Sequence, residues 1–556
     1  MPDEPQTDSR VLRLDARDNV LIALRDLKRG EQVDDGGTAY ALATDVRAKH
    51  KFAARDLPLG APVYMYGVVV GKAFAPIQRG ELISTGNVSH DAASYHESAG
   101  EYRWQPPDVS RWSARTFSGY LRPDGKFGTR NYWIVLPLVF CENRNLGVLK
   151  QAFEEELGFA RTQVYRRFVA DLAGLYRQGR TDEISRISPA FDSPDQARKA
   201  RVFPNVDGIK FLTHEMGCGG TREDARSLCG LLAGYICHPN VAGATVLSLG
   251  CQNAQVAILL EEVQRRDPRP SKPLHVFEQQ QFGSEQKMVS EAIRRTFLGL
   301  IDADRCVRTP APLSHLRVGL KCGGSDGFSG ISANPAIGRT SDLLAGLGGS
   351  GILAEFPELC GVEQELINRG ARKEVGERFI QLMRAYAARA RAVGSGFEMN
   401  PSPGNIRDGL VTDAMKSAGA ARKGGTAPVT AVLDYPEWVT EPGLNLLCTP
   451  GNDVECVTAQ VGAGANVVLF TTGLGTPTGN PVTPVVKIST NSDLARRMAD
   501  IIDYDTGGIV TGQTTIEKSG EAILDLVIQV ASGEFRTKSE LSAQDDFIPW
   551  KRGVSL

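Results

Sequence analysis

The stretch Val318-Gly-Leu-Lys-Cys322-Gly-Gly-Ser-Asp326 passes from a short apolar run straight into a glycine-rich, polar turn. Ser325, Asp326, Ser329 and Asn334 bring hydroxyl, carboxylate and amide groups into one loop. The glycines let backbone N–H groups approach a ligand closely. Ordinary turn chemistry is a poor account of so many polar side chains together. Similar transitions recur along the chain and put Cys141, Cys218, Cys251 and Cys322 at or just past the ends of apolar runs. Soft thiolates on one sheet edge can hold iron or an iron–sulfur cluster. No CxxC spacing supports that reading, and four small core cysteines are the competing one. His214, beside Cys218, is a candidate ligand or general acid/base, because imidazole changes charge near neutral pH. Arg130 offers a planar fork that matches two carboxylate oxygens, or it is a surface residue in a turn.

These residues need elements to position them. Apolar runs lead into polar loops at Ile209–Thr213, Ala244–Leu249, Leu274–Phe277, Val318–Leu320, Gly351–Ala354, Val429–Leu433 and Asn466–Phe470. Amphipathic patterns at Ala254–Arg265, Ser284–Leu298, Lys373–Val393 and Ser492–Ile502 lie between or after them. Strand–loop–helix alternation predicts parallel α/β layers, whose strand ends share one edge where loops can converge. Upstream, short alternating runs punctuated by Gly60, Gly67, Gly71 and Gly80 predict a small all-β module. The organisation expected is therefore a β module over 1–95, a linker over 96–118, an α/β domain over 119–310 and a C-terminal α/β domain over 311–556. A charged helical segment is expected over about 158–203, as a solvated or subunit-contacting arm or as a lid.

Composition excludes several classes. A chain of 556 residues holds several domains. Its net charge of −2 argues against a nucleic-acid surface. No apolar segment approaches the roughly 18 residues that span a bilayer. The acidic, polar start lacks the form of a signal peptide. Ten cysteines without such a signal suit reduced thiols in a cytoplasmic protein.

Several motifs resemble the altronate/galactarate dehydratase family. In the β module, His50-Lys-Phe-Ala, Tyr66-Gly and Gly71-Lys-Ala resemble its SAF-type β-clip domain. The segment Gly119-Tyr-Leu-Arg-Pro-Asp-Gly-Lys-Phe-Gly-Thr-Arg-Asn131 resembles it closely. So do the Cys322 loop, Glu355-Phe-Pro-Glu358, Asn400-Pro-Ser-Pro-Gly-Asn405, Lys416-Ser-Ala-Gly, Lys423-Gly-Gly and Phe470-Thr-Thr-Gly-Leu-Gly-Thr-Pro477. Four departures stand out. Asp15, Ser84 and Gly86 occupy positions where the family is expected to carry histidine, and Leu474 one where arginine is expected.

The resemblance implies a dehydratase of a small hydroxy acid, using Fe2+ or another divalent metal, and assembled as a homo-oligomer such as a dimer. Dehydration removes the proton α to a carboxylate and expels the β-hydroxyl, so it needs a base, an acid and a stabiliser for the enediolate. Candidates for acid and base are His214, Lys416 and Glu355. Candidate substrate contacts are His50, Arg130, Asn131, Ser325, Asp326, Asn334 and Asn405. A lyase expelling another group, as in sulfolactate sulfo-lyase, and a catalytically inactive sugar-acid binder are the alternatives.

Overall fold

A computed structural model describes residues 9–97, 100–160, 164–190 and 200–555. Parts of the segment 158–203, and residues 1–8, lie outside the described residues.

Short antiparallel strands build the N-terminal module, among them Val20–Ala23, Lys51–Ala53, Pro62–Met65 and Val68–Ala73. The last two are joined at Tyr66-Gly67, both with positive φ (59° and 75°). That is the left-handed pair a tight hairpin requires. Asp18 fixes it by accepting from both backbone N–H groups. The following linker is pinned by aromatic side chains: Tyr102 and Trp104 donate to Thr426, and Trp112 donates to Asp525.

Two parallel sheets form the body. The first has four strands in the order Gly208–Phe211, Tyr132–Pro137, Val241–Ser248, Leu274–Glu278. The second has seven, in the order Val429–Leu433, Gly443–Leu447, Ser350–Leu353, Arg317–Cys322, Val467–Thr472, Val485–Ser489, Tyr504–Asp505. Every pairing in both is parallel. Strands such as Tyr132–Pro137 and Val467–Thr472 are buried along their whole length, as expected where helices cover both faces. The mixed α/β architecture expected from the sequence is the one observed.

The helix Arg222–Cys237, between the second and third strands of the first sheet in chain order, packs on Asp453–Gly462 of the second sheet's layer. A Cβ on Gly234 would sit 2.1 Å from the Gly462 carbonyl oxygen, so only glycine permits this approach. One apolar core therefore runs from Ile134 and Leu136 through Leu231 to Val457 and Val468. The strands Gly443–Leu447 and Val485–Ser489, and the antiparallel ribbon of Thr116–Leu121 with Arg308–Pro312, escape the sequence pattern. Their apolar runs are short and lack the glycine-rich exits that mark the other strands. Helix Ser492–Arg497 is shorter than the expected Ser492–Ile502.

Candidate active site

The Arg317–Cys322 strand lies at the centre of the seven-stranded sheet. From it the chain winds to one side through Ser350–Leu353 and later returns on the other at Val467–Thr472. The crevice outside the carboxyl ends at such a reversal is where open α/β sheets bind ligands. Two glycine loops lock together there: Gly323 N–H donates to the Thr471 carbonyl and Gly473 N–H to the Gly324 carbonyl, both at 3.0 Å.

Cys322 ends its strand in this crevice, fully buried. Glu355 follows the neighbouring strand with φ 69° and ψ 61°. A left-handed backbone at a residue with a side chain is uncommon and is concentrated at functional sites. Glu355 N–H is tied to Thr449 Oγ1 at 2.9 Å. Its Oε2 accepts from Lys423 Nζ at 2.7 Å, and Lys321 bonds its Oε1. Lys423 Nζ also lies 2.8 Å from Cys322 Sγ. Glu358, one short helical turn on, takes Lys416 Nζ at 2.8 Å on Oε1 and the Cys322 thiol at 3.5 Å on Oε2. Lys416, from helix Asp413–Ala421, also donates to Asn400 Oδ1 at 2.9 Å. Asp453 pairs with Lys321 at 2.9 Å.

Three ammonium groups and three carboxylates thus surround one thiol. Burial pushes the Glu358 carboxyl up, but Lys416, Lys321 and Lys423 together overcome this and hold it down at about 2. Burial raises the Cys322 thiol to about 11 against the pull of Lys423, so it is protonated at neutral pH. Burial disfavours the charged form of Lys416, yet Glu358 and the other acidic partners keep its pKa above the ordinary lysine value.

The donor set also suits a metal. Cys322 Sγ and one oxygen from each of Glu355 and Glu358 lie within 4.8 Å of one another, the one such grouping among the described residues. One thiolate with two carboxylates fits a borderline divalent ion such as Fe2+. These residues therefore fit the metal that the motifs imply.

The N-terminal module closes one side. Lys49, itself at φ 75°, reaches Asp326 at 2.9 Å and Asp408 at 3.3 Å. Lys51 is buried and donates to the Lys49 and Gly409 carbonyls. A Cβ on Gly327 or Gly409 would stand 2.2 or 2.4 Å from the Lys49 carbonyl oxygen, so both glycines are needed for the module to dock. Leu474 lies opposite: its side chain would be 3.3 Å from a Cβ on Gly324 and 3.9 Å from one on Gly404.

A family model described as "D-galactarate/Altronate dehydratase, C-terminal" matches residues 313–555. Models for the second domain of D-galactarate dehydratase/altronate hydrolase and for the altronate/galactarate dehydratase SAF domain match residues 119–304 and 9–91. Altronate dehydratase of Escherichia coli (strain K12) is 33% identical over 548 residues, covering 98% of this chain and 99% of the relative. The chain belongs to the altronate/galactarate dehydratase family. Altronate dehydratase of Bacillus subtilis (strain 168) is 32% identical over 98% of this chain and 99% of its own length. Galactarate dehydratase (L-threo-forming) of E. coli is 30% identical over 94% of this chain and 93% of its own.

Within this family fold the residues singled out from sequence separate into two groups. Cys322, Glu355, Lys416, Ser325, Asp326, Asn334 and Asn405 all come to the crevice, with His50 at its edge. Their states differ. Asn334 spends its amide on Thr471 and Gly419, and Asn405 on a helix cap and the Ser325 carbonyl. Asp326 is occupied by Lys49, Ser329 and Thr490. Ser325 Oγ is buried with no partner. His50 Nε2 sits 3.1 Å from the Arg407 carbonyl, a docking contact.

The other residues stand elsewhere. Arg130 gives its fork to Glu540 at 2.7 and 3.0 Å and is 3% exposed, so it has no free edge for a carboxylate. Asn131 bonds the Asn205 and Ala303 carbonyls and Arg122. His214 has both ring nitrogens on backbone partners, Pro137 O at 2.8 Å and Met216 N at 3.1 Å, and burial depresses its pKa to about 4. Cys141, Cys218 and Cys251 belong to the four-stranded sheet and are exposed, whereas Cys322 is buried in the other sheet. Among the described residues these three thiols and Cys322 do not come together at the spacing of a single ion. Asp15 pairs with Arg17 at 2.9 Å.

Lys321, Lys423 and Glu358 are the site residues the sequence reading missed. Their signal was present, because a lysine inside the apolar strand Arg317–Cys322 has to find a buried anion. Glu358 and Lys423 lie in motifs already singled out.

Proposed function

We propose that this protein is a hydro-lyase that removes water from a sugar acid to give a 2-keto-3-deoxy acid. The observation that carries this reading is the buried Cys322–Glu355–Glu358 group, laced with three lysines, at the chain-reversal crevice of a dehydratase-family fold. The named activities of the relatives, altronate and galactarate dehydration, support it.

Cys322, Glu355 and Glu358 would hold the divalent metal, preferably Fe2+, and such an ion would supply a Lewis acid for substrate oxygens. The chain's own groups do the rest. The lysine ammonium groups place fixed positive charge where the carboxylate becomes an enediolate, in a site that excludes water. A carboxylate of the cluster, with Glu355 the first candidate, takes the proton from the α-carbon. The electrons move into the enediolate and then expel the β-hydroxyl, which accepts a proton from Lys416 and leaves as water. Glu358 keeps Lys416 in the ammonium form that this step uses. The enol product then gains a proton at carbon to become the keto acid. Ser325, with an uncommitted hydroxyl, contacts a substrate hydroxyl.

The test is turnover of a panel of aldonates and aldarates by anaerobically prepared protein, assayed for 2-keto-3-deoxy acid and for sulfite. Chelation should abolish activity and ferrous iron should restore it. Sulfite release from sulfolactate without keto-acid formation from any sugar acid would favour the alternative lyase. Full activity in metal-free protein would remove the metal from the reading.

A further inference from the structure

The four-stranded sheet carries a second chain reversal that the reaction above does not use. The chain leaves the Tyr132–Pro137 strand for Gly208–Phe211 on one side and returns at Val241–Ser248 on the other. Each of these three strands is followed by a cysteine: Cys141, Cys218 and Cys251. All three are exposed, whereas none of the remaining seven is. Free cysteine is among the most buried residue types, so three exposed thiols on adjacent loops need a reason.

Hydrogen bonds draw the loops together. Phe140 N–H, immediately before Cys141, donates to the Met216 carbonyl at 3.1 Å. Asn253 and Ala254 N–H, just after Cys251, donate to the Gly217 carbonyl, immediately before Cys218, at 2.9 and 3.1 Å. The flanking Gly217, Gly219 and Gly250 all have positive φ (103°, 68° and 122°), and a Cβ on Gly217 would stand 2.1 Å from the Leu138 carbonyl oxygen. Glycine is thus required for the Cys218 loop to lie against the Cys141 loop.

The same edge is electrostatically prepared for anions. Helices Asn143–Glu156, Arg222–Cys237 and Val256–Arg266 begin within a few residues of the three cysteines. Their N-termini carry partial positive charge and unsatisfied N–H groups. The first and third have no side-chain cap. Beside Cys141, the buried Glu142 leaves Oε1 without a partner.

We propose that Cys141, Cys218 and Cys251 ligate an iron–sulfur cluster at the carboxyl edge of the four-stranded sheet, distinct from the Cys322 site. The three thiols do not converge as tightly as Cys322, Glu355 and Glu358, which alone among the described residues meet a spacing suited to one ion. A cluster spreads its thiolates further apart than a single ion does. A four-iron cubane is ordinarily held by four thiolates; three cysteines would hold three of its irons and leave the fourth open to an oxygen ligand. Binding releases the three thiol protons, and the helix N-termini stabilise the resulting negative charge.

The test is anaerobic reconstitution of the full chain with ferrous and ferric iron in equal parts and sulfide, followed by iron and acid-labile sulfide analysis, visible absorption and electron paramagnetic resonance of the reduced protein. The expected result is about four irons and four sulfides per chain beyond those at the Cys322 site, with a broad visible band bleached by reduction. Cys141→Ser, Cys218→Ser and Cys251→Ser should each lose or destabilise the band. Because these side chains are exposed, the variants should keep the wild-type circular dichroism. Cys322→Ser and Cys306→Ser should keep the band, which separates this proposal from the reading of the active site. A band that survives in the Cys141/Cys218/Cys251 triple serine variant, or iron bound without sulfide, would overturn it.

Discussion

Glu358→Gln tests the active-site reading most directly, because it removes one charge and leaves the shape. Glu358 Oε1 lies 2.8 Å from Lys416 Nζ, and the two side chains are 3% and 9% exposed. At an effective dielectric of about 20 that separation corresponds to roughly 6 kcal/mol of direct attraction. Desolvation of both ions offsets much of it, and removal of one partner of a buried pair typically costs about 3–5 kcal/mol. Glutamine keeps an acceptor for Lys416 and Asn400 still binds it, so the lower end, about 3 kcal/mol, is expected. That corresponds to a Tm loss on the order of 6–12 °C in a unit of this size. The chemical effect should be larger. Without its carboxylate, Lys416 loses the partner that keeps it an ammonium ion, Cys322 loses the nearer of its two carboxylate acceptors, and the proposed metal donor set loses one anionic ligand. Loss of a positioned proton-transfer group costs about 10²–10⁴-fold in kcat. The assay is kcat and KM well below the variant's Tm, with metal affinity measured in parallel by calorimetry. A folded Glu358→Gln protein with kcat and metal affinity within threefold of wild type would refute the assignment. A Tm loss with unchanged kcat would make Glu358 a structural partner of Lys416 alone.

Three further outcomes follow from the same geometry. Leu474→Arg places a guanidinium beside Gly324 and Gly404; a charge-assisted carboxylate contact is worth roughly 1.5–3 kcal/mol. The kcat/KM ratio of galactarate to a monocarboxylate should therefore rise about 10- to 100-fold, whereas a wild type that already prefers galactarate would contradict the argument. Lys49→Met should reduce activity and stability more than His50→Ala, because Lys49 neutralises the fully buried Asp326 whereas His50 meets only a backbone carbonyl; equal effects in urea unfolding and turnover would show that docking does not run through Asp326. Acid should weaken the second domain well above the range in which Glu358 titrates. His214, neutral when folded with a pKa of about 4 against an ordinary 6.5, stabilises fully above pH 6.5. That contribution, about 3 kcal/mol, disappears as pH falls towards 4, where the unfolded chain binds a proton that the folded one refuses. Unfolding free energies at pH 7 and 4.5 should differ less in His214→Gln, and an unchanged difference would contradict this.

The sequence alone determined the class of fold and the place of the crevice. Both follow from local rules: apolar runs that end in glycine and polar residues are strand ends, and parallel strands put those ends on one edge. The Cys322 loop and Glu355 were legible for that reason, whereas Lys416, on helix Asp413–Ala421, was reached only through the family resemblance. Tertiary structure decided which polar groups are free. Arg130 and His214 carry the right chemistry, but Glu540, 410 positions away from Arg130, and the Pro137 carbonyl already occupy them. The chain also folds two parallel sheets, so four cysteines in equivalent local settings divide three to one between them. Local pattern fixes a residue's place on its own strand, whereas partners hundreds of positions apart are set only when the layers pack, and burial then decides which charges must pair.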